Sequence, residues 1–255
     1  MAVLARSGLL RRLVAAVRRG RAPIVLGGPG TGKTTVARAA DAQLASGVGV
    51  IELPEDEALD LEALEEVGQR PCILVGGLEL HRLLEAQGRA YRIAGRTVQR
   101  FPLVPLTRRQ SLAWVRASAG RPLPVDEFEP LFQATGGHPS LIAAWIEQRG
   151  RGVAVGALAD ALLGALEPLF ARIDQALGHP ELAGLYEWLD QNGPARVAAL
   201  RTATGARKGS IDRLVMAGPV SRTLAEAAEI AIGCGVYRRY RDLQSGPTGL
   251  RRSKR

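Results

Sequence analysis

Residues 27–35 read GGPGTGKTT, and this stretch decides the fold class. It has the spacing G-x-x-x-x-G-K-T, with the apolar run PIVL before it and the alanine-rich segment TGKTTVARAADAQLAS from residue 31 onward. Glycines let main-chain N–H groups turn inward around phosphate oxygens, and a helix that begins here adds its dipole. The lysine can then reach the β- and γ-phosphates, and the threonine hydroxyl can ligate Mg²⁺. The stretch therefore predicts a phosphate-binding loop between a buried strand and a helix.

The residues that this loop assigns to ATP or ADP form one continuous set. They are Gly28, Pro29, Gly30, Thr31, Gly32, Lys33, Thr34 and Thr35. Thr34 is also the expected ligand of Mg²⁺. An ordinary glycine-rich turn is the alternative, but the flanking strand and helix argue against it.

A site that hydrolyses a nucleotide also needs a carboxylate at the end of a nearby strand. The next apolar segment, GVGVIEL, contains Glu52 near its end and continues as PEDE, without the usual Asp-Glu pair. We predict Glu52 as the metal-side catalytic acid, with Glu55 as the alternative, although PEDE also fits a solvated loop that caps the next helix. The strand predicted at residues 71–77, PCILVGG, ends without an acid. The sequence thus leaves open whether the protein is an ATPase.

Charge and cysteine content restrict the functional classes. The net charge of +9 lies at the two ends, because residues 1–22 carry six arginines and the last five residues carry four more positive charges. The remaining 24 basic residues face 25 acidic ones, so the body is near neutral. The two cysteines, far apart in sequence, indicate reduced thiols in a cytoplasm. No apolar run is long enough to span a bilayer, so no membrane insertion is expected.

Alternating apolar strands and amphipathic helices after the loop predict a three-layer parallel α/β sheet. Residues 74–120, from LVGGLELHRLLEAQG through RTVQRFPLVPLTRRQ to SLAWVRASAG, resemble the second half of AAA+ ATPases of the secretion-ATPase and transposition-helper kind. The order of the motifs carries this resemblance: an LVG-x-x-EL strand end, a helix, a strand, a PL-[ST] turn and a further helix. The segment FEPLFQATGGHPSLIAAW, residues 128–145, resembles their lid, which signal-transducing STAND and origin-recognition ATPases share.

The resemblance implies roles for further residues. Pro139 matches the lid turn beside the nucleotide, and Arg96 matches the catalytic arginine that reaches a neighbour's γ-phosphate in an oligomer. A strand-end arginine that pairs locally is the alternative for Arg96. Gly76 stands where a polar sensing side chain is usual, Ser140 stands where a sensing arginine is usual, and one strand–helix pair is missing. These departures imply a reduced domain with slow or absent hydrolysis.

The C-terminal third resembles a winged helix-turn-helix, a module that often follows the lid in archaeal-type and STAND ATPases. Before it, residues 153–178 fit one kinked helix or two helices. Three short helices are predicted from residue 180, the second with Pro194 near its first turn, followed by one or two wing strands and a basic aromatic segment. If the module binds DNA, we expect base contacts from its third helix and phosphate contacts from its last segment. The residues concerned are Arg207, Lys208, Ser210 and Arg213, and then Arg238, Arg239 and Arg241.

The predicted fold class is α/β: a reduced three-layer, parallel-sheet P-loop NTPase domain with a helical lid and a C-terminal winged helix-turn-helix. The predicted parts are a basic helix (1–19), the P-loop domain (20–120), the lid (121–178), the winged-helix-like module (179–243) and a flexible basic tail (244–255). The predicted function is an ATP/ADP-binding switch or assembly component whose module binds a protein partner. The alternatives are an ATP-dependent DNA-binding factor, of loader or transposition-helper type, and a small-molecule kinase. An oligomer is compatible with all three.

Overall fold

A five-stranded sheet of order β2-β3-β1-β5-β4 organises the first half of the computed structural model. The structure describes residues 6–44, 47–54, 60–88, 90–118, 124–154, 157–223 and 229–245. The strands are β1 (Ala22–Leu26), β2 (Val50–Glu52), β3 (Ile73–Gly76), β4 (Arg92–Ile93) and β5 (Arg96–Pro102). β2, β3, β1 and β5 are parallel, and β4 pairs antiparallel with β5. The sequence analysis did not predict β4, because two residues are too few to show a pattern.

The strand register brings the functional segments to one edge of this sheet. Leu26, the last residue of β1, lies opposite Gly76 of β3 on one side and Pro102 of β5 on the other. Glu52, the last residue of β2, lies opposite Val75 of β3. The phosphate loop and Glu52 therefore leave the sheet at its carboxyl edge, where open α/β sheets bind ligands.

Helices cover both faces of the sheet. They are α1 (Ser7–Arg18), α2 (Lys33–Asp41), α3 (Leu61–Val67) and α4 (Leu78–Ala86). The next helix, α5 (Arg108–Ser118), packs against the lid helices that follow it. Side chains of β1 alternate between two cores: Val25 packs in a cluster with α1 and α2, and Ile24 packs in a larger cluster with α3 and α4. All residues of β1 and β3 are buried, as expected for strands covered on both faces. This arrangement is the predicted three-layer α/β architecture.

Four helices form the predicted lid region. They are α6 (Val125–Thr135), α7 (Pro139–Gly150), α8 (Leu158–Ala165) and α9 (Glu167–Leu177). Residues 153–178 were expected to form one kinked helix or two helices, and the structure has two, α8 and α9. The break falls at Leu166, which precedes α9, and Pro168 occupies the first turn of α9, where its missing N–H is tolerated.

The C-terminal part has the element order of a winged helix. Its elements are α10 (Pro180–Asn192), β6 (Ala195–Arg196), α11 (Val197–Thr204), α12 (Lys208–Ala217), β7 (Val220–Thr223), β8 (Glu229–Ile232) and α13 (Gly235–Ser245). The strands form a small antiparallel sheet of order β6-β8-β7. The predicted fold class is therefore confirmed.

Three details of the C-terminal part differ from the sequence-based expectation. Pro194 precedes β6 and does not lie in the first turn of α11. β6 is a third strand that two residues could not signal. The basic aromatic segment is a helix, α13, because it buries Val236 and Tyr237 on one side. No helix among the described residues has the length and apolar character needed to cross a bilayer.

Candidate functional site

The phosphate loop folds back on itself between Leu26 and the start of α2. Gly30 and Gly32 have φ angles of 67° and 84°, a left-handed conformation that only glycine adopts readily. The Thr31 hydroxyl donates to the carbonyl of Gly28 at 2.8 Å, and Nζ of Lys33 donates to the same carbonyl at 2.9 Å. The motif thus forms the tight glycine-rich loop that its spacing predicts, and a contact of Lys33 with phosphate groups stays a prediction.

A cavity of about 490 Å³ opens where the loop meets the first turn of α2. Its volume lies in the range of roughly 300–1,000 Å³ that is typical of small-molecule sites. Its lining residues are Gly30, Gly32, Lys33, Thr34, Thr35, Glu52, Leu53, Val75, Ser140 and Arg172. The structure therefore brings most of the predicted nucleotide-binding residues together with Glu52 and with the lid.

Thr34 and Glu52 meet inside this cavity. The Thr34 hydroxyl donates to Oε2 of Glu52 at 2.8 Å, and Arg38 donates to Oε1 at 3.1 Å. Hydroxyl and carboxylate oxygens are the ligands that Mg²⁺ prefers, and Mg²⁺ usually completes its octahedron with water and phosphate oxygens. These two residues therefore fit a Mg²⁺ ion bound to a nucleotide. Glu55, the alternative acid, lies outside the described residues.

The start of α7 in the lid contacts the loop directly. The Ser140 hydroxyl donates to the carbonyl of Gly30 at 2.9 Å, and Nε2 of His138 lies 3.0 Å from the carbonyl of Pro29. Pro139, between them, is the buried first residue of α7, and its contact with a nucleotide stays a prediction. The lid therefore holds the loop through two consecutive carbonyl groups.

The imidazole of His138 is uncharged at neutral pH. The side chain is fully buried, and burial is the main cause that lowers the pKa of His138 from 6.5 to about 4. The hydrogen bond to Pro29 opposes this shift, and the positive charges of Arg6 and Lys33 add to it. A neutral ring that donates from Nε2 to Pro29 leaves Nδ1 as an acceptor, and Nδ1 has no partner among the described residues. His138 lies in the lid segment 128–145, where no pattern in the sequence singled it out.

Arg172 is a further residue of the site that was not predicted from the sequence. This arginine lies on α9 and lines the main cavity as well as a smaller one of about 280 Å³ beside Gly28 and Pro29. Within the part of the chain that the structure describes, its guanidinium makes no hydrogen bond or ion pair. One feature of the sequence could have indicated it, because Arg172 is the one basic residue in the segment 153–178.

Arg96 lies far from the phosphate loop within this chain. It begins β5 at the amino edge of the sheet, whereas the loop follows the carboxyl end of β1. Its guanidinium donates to the carbonyls of Gly68 and Arg70. Arg96 therefore pairs locally, as the alternative interpretation expects, although its partners are main-chain carbonyls and not a carboxylate. A contact of Arg96 with a neighbour's γ-phosphate stays a prediction.

The arginines predicted to bind DNA do not share one open face. Arg213 forms ion pairs with Glu85 at 2.7 Å and Glu181 at 3.3 Å, and its side chain is only 12% exposed. Ser210 is buried, whereas Arg207 and Lys208 are exposed at the start of α12. The predicted recognition helix thus turns most of its length inward.

The arginines of α13 are paired with aspartates. Each of the three faces one carboxylate on a neighbouring helix at 2.7–3.8 Å. The pairs are Arg238–Asp190, Arg239–Asp160 and Arg241–Asp174. Phosphate contacts by these arginines would require the pairs to separate.

The end of α12 contacts the phosphate loop through the main chain. The N–H of Gly28 donates to the carbonyl of Met216 at 2.8 Å. A Cβ atom at residue 28 would lie 2.6 Å from that same oxygen, so the close approach requires glycine. This contact joins residues 188 positions apart and was not predicted from the sequence.

Comparisons with known proteins add little to this geometry. No protein-family model matches the chain, and no curated protein matches it. Among solved structures, a mutant of the RuvB protein of Thermotoga maritima is similar over 95% of this chain and 93% of that chain, with 16% identity and a TM-score of 0.40. A similarity this weak says nothing about activity, substrate or partners.

Proposed function

We propose that the protein is a nucleotide-binding switch of AAA+/STAND type. One observation carries the proposal: three consecutive residues of the phosphate loop are held by two other parts of the chain, the start of α7 in the lid and the end of α12 in the C-terminal module. The N–H of Gly28 meets α12, the carbonyl of Pro29 meets His138, and the carbonyl of Gly30 meets Ser140. A phosphate group that rearranges this loop must therefore disturb the lid and the C-terminal module together.

In the proposed complex, each cavity residue has one task. Lys33 and the main chain of the loop bind the phosphate groups, and Thr34 with Glu52 holds Mg²⁺, which neutralises part of their charge. Arg172, whose guanidinium has no partner among the described residues, binds the terminal phosphate from the lid side. Because ADP lacks that phosphate, ATP and ADP would stabilise different lid positions, which is the differential affinity that a switch requires.

We propose that hydrolysis is slow or absent. Glu52 is the one carboxylate among the described residues that line the cavity, and it already accepts from Thr34 and Arg38. Efficient hydrolysis needs a second group that orients the attacking water. The predicted catalytic residues are Glu52 and Arg96. In an oligomer, Arg96 of an adjacent subunit would bring a positive charge to the γ-phosphate.

The target of the switch is proposed to be a protein. In this proposal, residues 20–120 are the nucleotide-binding domain, residues 121–178 are the lid, and residues 179–243 are the module that contacts the partner. The inward orientation of Arg213 and the paired arginines of α13 argue against DNA reading by the winged helix in this arrangement. A small-molecule kinase would need several lid arginines at the transferred phosphate, and Arg172 is the one arginine among the described residues lining the cavity.

The switch can be tested by measuring a distance with pulsed electron spin resonance. Spin labels are placed at Gln43→Cys and Thr202→Cys, two exposed positions, with Cys72 and Cys234 changed to alanine. We expect the distance between the labels to differ between MgATP and MgADP. In the same protein with Lys33→Ala, neither nucleotide should change it. An unchanged distance in protein saturated with each nucleotide would contradict the switch.

A further inference from the structure

The exposed face of α1, together with the residue that follows the helix, carries four arginines in one stripe. The arginine pair Arg11–Arg12 is followed seven residues later by the pair Arg18–Arg19. An interval of seven residues returns to nearly the same side of a helix. All four side chains are exposed. The opposite side of α1 packs into the core beside the sheet through Leu10, Leu13, Val14 and Ala16.

These four arginines have no partners among the described residues, neither an ion pair nor a hydrogen bond. The arginines of α13, by contrast, each face an aspartate. Favourable interaction with the helix dipole explains Arg18 and Arg19 at the C-terminus, but it does not favour Arg11 and Arg12 in the first half of the helix. Like charges this close repel one another, so the stripe lowers the stability of the free protein and stabilises a complex with an anion.

The shape of the stripe favours a nucleic acid over a lipid surface. A membrane-surface helix needs a free apolar face, but the apolar side of α1 is already in the core. The exposed large apolar side chains among the described residues are Val104 and Leu243, and neither lies on α1. The two arginine pairs are about 10 Å apart along the helix, close to the roughly 12 Å width of the major groove of DNA.

We propose that α1 binds the phosphate backbone of double-stranded DNA without sequence preference. Arginine is suited to this role because its planar guanidinium donates two parallel hydrogen bonds to phosphate oxygens. The proposed surface is distinct from the winged helix and does not rest on nucleotide binding by the phosphate loop.

The test measures binding of a fluorescein-labelled 20-base-pair duplex by anisotropy, without nucleotide, at several salt concentrations. We expect the variant with Arg11, Arg12, Arg18 and Arg19 changed to Gln to bind at least about 100-fold more weakly at low salt. The slope of log K against log salt should fall in magnitude by about 3 to 4, since each lost phosphate contact removes about 0.9. The corresponding four-lysine variant should keep most of the binding, which separates loss of charge from loss of fold.

A matched control removes the same charge elsewhere. It changes four exposed arginines outside α1 to Gln, and the expected result is a slope close to that of the unmodified protein. The residues are Arg109, Arg116, Arg196 and Arg201, none of which is among the candidate DNA-contacting residues of the winged helix. Equal losses in the α1 and control variants would overturn the proposal, because net charge alone would then explain binding.

Two further results would also overturn the proposal. One is loss of all binding when the basic residues after position 250 are changed to Gln while the α1 variant still binds. The other is binding of the unmodified protein to phosphatidylserine vesicles, but not to the duplex, that disappears in the α1 variant. If the four-glutamine variant does not fold, the two double variants, one for each arginine pair, should each reduce the slope by about 2.

Discussion

At the scale of single residues, His138 couples the lid to the phosphate loop and should make stability depend on pH. Its folded-state pKa is about 4, below its ordinary value of 6.5, because the ring is fully buried. Between these two values the unfolded chain binds a proton that the folded chain does not. The free energy of unfolding should therefore fall as pH falls through this window, by up to about 3 kcal/mol in total.

Urea unfolding at pH 7.5, 6 and 5 measures this dependence. The variant His138→Gln keeps an N–H donor for Pro29 and should lose most of the dependence. His179→Gln, at an exposed position, is the control and should retain it. Burial also lowers the pKa of His81, so the part of the dependence that His81 causes should remain in the first variant. Equal pH dependence in the two variants would be evidence against the role of His138.

Gly30 is required by both its backbone angle and its surroundings. A Cβ atom there would lie 2.7 Å from Oγ of Ser140 and 2.8 Å from Cε1 of His138, at a φ of 67°. We expect Gly30→Ala to lower the free energy of unfolding by about 1–3 kcal/mol and to weaken nucleotide binding. Gly164→Ala is the control: it adds a Cβ into open space on α8 and should be neutral or stabilising.

Glu52 tests whether hydrolysis matters to the switch. Because the described cavity lining offers no second carboxylate, turnover should already be low, and Glu52→Gln should change it little. Steady-state release of phosphate is the measurement. Robust turnover that disappears in Glu52→Gln would contradict the proposal of slow hydrolysis. Mg²⁺-dependent nucleotide affinity should nevertheless decrease, because a carboxylate ligand is lost.

At the scale of secondary-structure elements, α12 is fixed by an ion-pair network. Arg213 bridges Glu85 on α4 and Glu181 on α10 with little exposure. Arg213→Ala should lower the free energy of unfolding by about 1–3 kcal/mol, since two partly buried carboxylates lose their partner. Arg82→Ala, which breaks the exposed pair with Glu79, should cost less than about 1 kcal/mol. Equal effects in urea unfolding would mean that the network does not hold α12.

The elements differ in how well the sequence predicts them. The phosphate loop is predictable because all of its determinants lie in nine consecutive residues and act through local backbone geometry. Three helices were also predicted from residue 180 onward, and Gly193 and Gly205 directly follow the first two of them, as is common at helix ends. α13 was not predicted, because its buried residues Val236 and Tyr237 are few and its remaining side chains are mostly polar.

Residues of the site that come from distant parts of the chain were not predicted from the sequence. His138, Arg172 and Met216 reach the loop from far along the chain, the first across 109 positions. No local pattern encodes such contacts, because they depend on how finished elements pack. Arg96 is the opposite case, because its place in a motif was recognised but its partners were not. Its side chain is oriented by the nearby carbonyls of Gly68 and Arg70.

At the scale of the whole molecule, the phosphate loop lies between the sheet, the lid and the winged helix. Under the proposed function, this placement would make nucleotide occupancy and module position mutually dependent, since a ligand that favours one arrangement stabilises it by its difference in affinity. The basic stripe of α1 lies on the opposite side of β1 from the core that α3 and α4 share. The molecule therefore has two separate proposed binding surfaces, which separate variants can test.

The most direct test of the central claim is calorimetric titration of the folded full chain with MgATP and with MgADP. The account predicts saturable binding of one nucleotide per chain, no measurable heat for Lys33→Ala, and unchanged binding for the exposed control Lys208→Ala. A folded wild-type sample that gives no heat with either nucleotide, or a Lys33→Ala variant that titrates like the wild type, would contradict it.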